Sequence, residues 1–235
     1  MEHAAFTWTS VIPFLKGLPP HVSNAILVSL IVFIGIYIGA RRVTKSLEED
    51  NLIPDERLTL KNFAEIITEG VLKLLDDNMG PRGREFILII GTLSVFILFS
   101  NLSGLVPGFS PPTDNLNTTA ACAITVFFLT HYYGFREHGV KYVRQFMGPV
   151  LWLAPLMVPI ELIGHFARPL SLSVRLFGNI MGDHLVTTIF FTLIPLIVPL
   201  PVMLLGIFVA FVQTLVFVLL SMAYFAGAIA HEELE

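Results

Sequence analysis

The sequence predicts an all-α integral membrane protein with about three transmembrane helices, an amphipathic helix at the cytoplasmic surface, and a pair of long, strongly tilted, near-horizontal membrane helices. Three observations predict it. Hydrophobic residues make up 54% of the 235 and charged residues 14%, with a mean hydropathy of +0.77, whereas soluble domains run at about 25% charged. Residues 22–40, 86–107 and 118–135 form apolar runs that meet or nearly meet the roughly 20 residues a spanning helix needs. A further apolar region, residues 146–230, is too long for one span and is broken by prolines near its middle.

Residues 1–21 read as an outer segment. The start "MEHAAFTWTSVIPFLKGLPP" has no basic region, compact apolar core or small-residue cleavage site of the signal-peptide kind, so it is expected to be retained. Residues 22–40 are the first span. The following segment, 41–85, holds eight of the fourteen Lys and Arg residues, and Arg136, Lys141 and Arg144 form a second basic loop. Basic loops favour the cytoplasmic side, which puts the N-terminus outside. Within 41–85, Leu60, Phe63, Ile67, Val71 and Leu74 recur at three- and four-residue steps, the mark of an amphipathic helix. Lys61, Glu65, Glu69 and Lys73 lie on its polar side, so a membrane surface or a partner subunit suits it better than catalysis.

The second span, 86–107, carries Asn101 and Ser103 near its outer end. An outer loop, 108–117, contains no Lys or Arg and leads into the third span, 118–135, through "PPTDNLNTT". Asn101, Asp114, Asn115 and Asn117 are thus expected at one membrane face, either as ordinary caps and loop residues or as the lining of a hydrated vestibule. The single cysteine, Cys122, rules out an intrachain disulfide. Residues 136–160 form the basic loop and a proline-rich approach to two long helices, 161–198 and 199–235, the latter including the C-terminal tail. As one helix, residues 161–194 would run about 51 Å and residues 201–230 about 45 Å, at 1.5 Å per residue. A bilayer core is about 30 Å thick, and fitting 45 Å into it takes a tilt near 48°, steeper than the usual range of about 0 to 40°. "PLIVPLP" reads as the hairpin between them, since Pro195, Pro199 and Pro201 lack the donors a helix needs.

Residues 146–230 contain only four charged side chains, Glu161, Arg168, Arg175 and Asp183. A charge near the bilayer centre costs about 2.5–3.5 kcal/mol on insertion scales, so such groups face protein or watered cavities. Glu161, Arg168, Arg175 and Gly182 recur every seven residues and Asn179 lies one turn past Arg175, so all five share one face, flanked by Gly164 and Gly178. Such a face is suited to close approach by another helix. Asp183 lies about 80° around the helix from Arg175 and His184 about 180°. Carboxylate and imidazole load and unload protons while arginine stays charged, so the pattern reads as a fixed positive barrier with titratable groups to either side. Gln213, the isolated polar residue of "FVAFVQTLVFVLL", can hydrogen-bond to Arg175 or Asn179.

Blander readings stand beside these. Arg168, before Pro169, can snorkel at a membrane edge; His184 can be a satisfied interior histidine; Gln213 can be interhelical glue; Glu161 and Arg175 can be a structural pair. The seven histidines are scattered, which argues against a metal site. Neither a glycine-rich phosphate loop nor a nucleophile constellation is present, a net charge of −4 gives no reason to expect nucleic acid, and no cofactor is expected.

"SLSVRLFGNIMGDHL" resembles the signature of subunit a of F-type ATP synthases, and the similarity extends to "SNLSGLVPGFSPPTDNLNTT" and "FVQTLVFVLLSMAY", covering most of the chain in order. The resemblance implies a stator subunit with no bond-making chemistry of its own. It would be packed against a ring of c subunits and joined by b-type peripheral stalk subunits, with membrane lipid around it. Two offset half-channels would pass protons to and from the ring carboxylates, and ring rotation would drive ATP synthesis. By the same resemblance, Arg175 is the essential arginine separating the half-channels, Asn179 and Gln213 its polar partners, Glu161 a half-channel carboxylate and Asn101 a polar residue at a span's end. Ser171 and Ser173 fall in the polar approach to the arginine, and Arg168, Asp114 and Asn115 are supporting positions.

This sequence departs from the family pattern at three places. His184 stands where many bacterial members have Glu, Gly206 where a His or Glu commonly partners it, and Asn115 where Asp is frequent. Asp183 and His184 are therefore expected to supply the titratable function together. The competing function is a secondary transporter or a proton-conducting respiratory-complex subunit. Transporters often show internal repeats, and none is evident between the halves. An assembly scaffold is a third reading, set against the cost of four ionisable groups in apolar helices.

Overall fold

The computed structural model describes residues 18–48, 60–106, 109–139, 141–142, 154–193 and 199–230. Among them the regular structure is helical throughout, with no strand: α1 (Pro20–Glu48), α2 (Leu60–Met79), α3 (Ile87–Ser103), α4 (Leu116–His138), α5 (Ala154–Leu193) and α6 (Pro199–Ile229), plus short 3₁₀ turns at Gly80–Phe86 and Pro112–Asp114. The expected outer segment before residue 18, the hairpin at 194–198, most of the basic loop with Arg144, and the acidic tail "HEELE" lie outside the described residues.

The chain forms two compact units, residues 1–112 and 113–235. In the first, α1 packs on α2 and α3, and α2 on α3. The amphipathic reading of α2 holds for its described side chains: Val71 and Leu75 are buried four residues apart, while Glu69 and Lys73 are exposed. Gly80 closes the helix with φ +66°, a left-handed conformation that glycine adopts without a Cβ penalty. Asp76 and Arg84 then bridge the 3₁₀ turn through two hydrogen bonds, Nε to Oδ1 at 3.0 Å and Nη2 to Oδ2 at 2.9 Å. At the other end of α1, Asn24 Nδ2 donates to the Ser110 carbonyl at 2.7 Å, tying the loop that follows α3 to the start of α1.

In the second unit α5 packs on α4 and α6, and α4 and α6 touch. Asn115 caps α4, its side chain accepting from the Asn117 amide at 2.9 Å, the ordinary use of Asn at a helix start. Thr119, Cys122, Ala123, Val126 and Thr130 form the buried face of α4 at helical spacing. Gly134 lets Tyr142 pack directly on α4, since a Cβ there would collide with the Tyr142 ring.

Among the described residues, four helical stretches are long and apolar enough to cross a membrane: Pro20–Arg41, Ala64–Ser103, Pro155–Leu193 and Leu200–Ile229. The helix expected over 118–135 is present as α4 but is not among them. Its four threonines, one histidine and two tyrosines between residues 118 and 133 dilute its hydropathy. The long helix also begins at Ala154 rather than 161. Pro155 falls in the first turn, where a missing N–H is harmless, but Pro159 and Pro169 lie inside the helix. At 40 and 31 residues, α5 and α6 run about 60 Å and 46 Å.

Candidate functional site

The second unit carries most of the residues singled out by sequence, and α5 sorts them by direction. Leu172, Ser173, Leu176, Ile180 and Thr187 are buried on one side of α5, while Ser171, Val174, Arg175, Gly178 and Asn179 are exposed on the other. Arg175 therefore projects outward from the unit, and among the described residues it makes no hydrogen bond or ion pair. Exposed apolar side chains on the two long helices include Leu170 and Val174 on α5 and Phe208, Phe211 and Leu215 on α6. The glycines flanking the polar stripe are open: a Cβ built at Gly164, Gly178 or Gly182 would meet nothing within 4 Å. Their small size thus serves no contact within the described chain.

The polar side chain on α6 is met from α5. Asn179 Nδ2 donates to Gln213 Oε1 at 2.7 Å, with Gln213 itself buried, so Gln213 pairs with Asn179 rather than Arg175. Asn179 and Gln213 line an open cleft of about 690 Å³ between α5 and α6, together with Gly178, Gly182 and Asp183.

Asp183 and His184 part company. Asp183 lines that cleft, while His184 Nδ1 stands 3.4 Å from Asp114 Oδ2 in the turn before α4. They are neighbours in sequence with different surroundings, because one residue along a helix is a 100° rotation. Asp114 gains a clear partner, whereas Asn115 is occupied in capping α4. Ser173 turns inward and its hydroxyl donates to the Leu170 carbonyl at 3.1 Å, while Ser171 is exposed. Arg168 lies over the Tyr224 ring, with its guanidinium carbon 5.6 Å from the centroid, a cation–π contact. Asn101 is buried on α3 in the first unit.

Glu161 is met by a residue that sequence reasoning passed over. His165 Nδ1 lies 3.4 Å from Glu161 Oε1 and 3.0 Å from the Glu161 carbonyl oxygen. The spacing Glu-x-x-x-His, one helical turn, was the available signal. Across from it stands His131 of α4, with ring centroids 5.3 Å apart; nothing in the sequence joins these two. Among the described residues no cluster of His, Cys, Asp and Glu is arranged to hold a metal ion.

Comparison with known proteins bears on the whole of this arrangement. Residues 22–226 match the family described as ATP synthase A chain. The chain is 59% identical over 170 residues to ATP synthase subunit a 1 of Syntrophotalea carbinolica, covering 72% of this chain and 73% of that one. It is 56% identical over 170 residues to ATP synthase subunit a of Geotalea uraniireducens, covering 72% and 74%. Against ATP synthase subunit a of Geobacter sulfurreducens it is 47% identical over 221 residues, 92% of this chain and 94% of that one. With an all-helical fold, apolar helices of spanning length and a family match across nearly its whole length, the chain belongs to the ATP synthase subunit a family.

Proposed function

We propose that this chain is the proton-translocating stator subunit of the ATP synthase membrane sector, in a bacterial inner membrane with its N-terminus outside. It binds no nucleotide and makes no covalent bonds. Its partners are the c-subunit ring and b-type stalk subunits, and its cargo is H⁺. The observation that carries the reading is Arg175, a permanent cation set outward on a largely apolar membrane helix with no partner among the described residues. An unpaired guanidinium in apolar surroundings is costly and is stabilised when a carboxylate of opposite charge comes to it. A ring of carboxylates sliding past supplies that partner in turn. Asn179 and Gln213, joined at 2.7 Å, place amide groups beside the arginine's path, where they can hydrogen-bond a neutral, protonated carboxyl. Glu161 and the Asp114–His184 pair, 3.4 Å apart, serve as proton-exchanging groups of the two half-channels.

Cysteines placed at Ser171 and Gly178, beside Arg175, test the placement. In assembled complexes they are expected to cross-link to cysteines in a c subunit. Absence of any such product in a complex that assembles normally favours the transporter reading instead.

The divergence of Asp183 and His184 gives a second prediction. His184→Ala, which removes the partner of Asp114, is expected to slow ATP-driven proton pumping by about a hundredfold, in the range for losing a positioned proton-transfer group. Asp183→Asn is expected to slow it by about tenfold, because the cleft it lines is wide enough for water to carry protons past it. Acidification of vesicles followed with a fluorescent dye measures both, and wild-type rates in both variants would remove these residues from the proton path.

A further inference from the structure

The turn into α4 gives one residue two tasks. Asn115 stands just before the first helical position with φ −117° and ψ 129°, the extended backbone of a residue that starts a helix. Three amides of the first turn end on it. Its side-chain oxygen accepts from the Asn117 amide at 2.9 Å, and its carbonyl accepts from the Thr118 and Thr119 amides at 3.1 and 3.3 Å.

The residue before it is Asp114, whose Oδ2 stands 3.4 Å from His184 Nδ1 on α5. Both side chains are only half-buried, so packing alone does not fix their contact and the backbone at Asp114 has to. On one side of Asp114, Thr113 is wholly buried and anchors the 3₁₀ turn. On the other, the Asn115 cap sets the direction in which the turn enters the helix. Asp114 is thus held between an anchor and a cap.

Charge at residue 115 also bears on the pair, because adjacent Cα atoms are about 3.8 Å apart. The other ionisable groups on the packed helices stand farther off or face elsewhere. On α5, Asp183 is the neighbour of His184 but lines the cleft, and Arg175 lies nine residues back, about 14 Å along the axis. On α4, Cys122 is a buried thiol, and His131 lies sixteen residues past the cap, about 24 Å along the helix. On α6 the ionisable side chain among the described residues is Tyr224, which lies against Arg168. A helix start favours a carboxylate, and Asp caps as well as Asn. Helix stability alone therefore gives no reason for a neutral residue at this position.

We propose that Asn115 is a positioning residue for the Asp114–His184 pair. Its cap holds the turn that presents Asp114 to His184, and its neutrality keeps the pair to one carboxylate and one imidazole. The inference rests on the motor reading above, in which this pair exchanges protons.

Three variants separate the two tasks: serine caps and is neutral, aspartate caps and is charged, and alanine does not cap. They are compared by ATP-driven proton pumping of the whole ATP synthase in liposomes, from about pH 5 to pH 8. Asn115→Ser is expected to keep the wild-type rate and profile. Asn115→Ala is expected to run about fivefold slower at its optimum, the ratio by which losing a side-chain cap shifts a helix start toward its frayed form. Asn115→Asp is expected to keep its rate at the optimum and to move the profile to higher pH by about one unit, since a second carboxylate makes the pair release its proton less readily. A wild-type rate in Asn115→Ala, a wild-type profile in Asn115→Asp, or an Asn115→Ser complex as slow as Asn115→Ala overturns the proposal. If Asn115→Asp fails to assemble, the other two decide: serine at the wild-type rate with alanine slowed supports the role, and equal rates overturn it.

Solid-state NMR with ¹³C-labelled Asp and ¹⁵N-labelled His reads the Asp114–His184 contact without any transport. The contact is expected in the wild type and in Asn115→Ser, and weakened in Asn115→Ala. That result together with normal pumping by Arg175→Ala defeats the motor reading and leaves the positioning role standing. An unchanged contact in Asn115→Ala, with Arg175→Ala inactive, overturns the positioning role and leaves the motor.

Discussion

Arg175→Ala is expected to lower proton-coupled ATP synthesis at least about a hundredfold, the scale on which removing one fixed electrostatic group from a reacting site is felt. The chain itself should tolerate the change, because the guanidinium makes no hydrogen bond or ion pair among the described residues. Assembly into the complex, measured by co-purification of the c subunits, should therefore stay near the wild-type level. Arg175→Lys is expected to recover little, since lysine can lose its proton in apolar surroundings and lacks the planar fork that meets a carboxylate through two hydrogen bonds. Passive proton leak through the membrane sector gives a separate readout. It should rise in the alanine variant, where no fixed charge stands between the half-channels, and rise less in the lysine variant. Coupled synthesis at the wild-type rate in Arg175→Ala vesicles would defeat the motor reading.

Gly178→Leu should do comparable damage for a different reason. A Cβ at this position meets nothing within 4 Å, so leucine fits the isolated chain. Glycine inside a helix is about 0.5–1 kcal/mol less favourable than alanine, so the replacement should leave the helix as stable or more so. Yet Gly178 lines the cleft that also holds Asn179 and Gln213, and a leucine side chain there obstructs what has to reach them. ATP-driven pumping is expected to fall at least about tenfold, with chain abundance in the membrane unchanged. The pairing of intact accumulation with lost transport is the signature, and a Gly178→Leu complex that pumps normally would show that nothing large approaches this face.

Much of this site could be read from residue spacing. Glu161, Arg168, Arg175 and Gly182, seven residues apart, do lie on one helix, but their surroundings differ: Arg168 lies over the Tyr224 ring, while Arg175 stands exposed with no partner among the described residues. Gln213 was legible as a partner for Arg175 or Asn179 because it is an isolated polar side chain in apolar sequence, and such groups bond across helices; which of the two it meets was not legible. The helix start was not legible. Pro155 and Pro159 lie in the stretch read as a proline-rich approach, but the first occupies a helix's opening turn, where proline is tolerated, and the helix runs on through the second. The contacts of His184 and His165 were hidden for another reason. Asp114 and His131 are 70 and 34 residues away from them in the chain, and no local pattern encodes which turn of α4 lies against which turn of α5. The two histidines met only once the helices were packed.

The proline inside α5 also has a mechanical consequence. Pro169 stands between the end that holds Glu161 and His165 and the stretch that carries Arg175. With one backbone bond fewer, the rod is less stiff against bending at that point than elsewhere. A transverse load applied near Arg175 is then taken up partly as flexure at the joint before it reaches the histidine end. On the motor reading proposed above, proton exchange on one side of the joint and mechanical contact on the other share a single helix while being partly insulated from each other's strain.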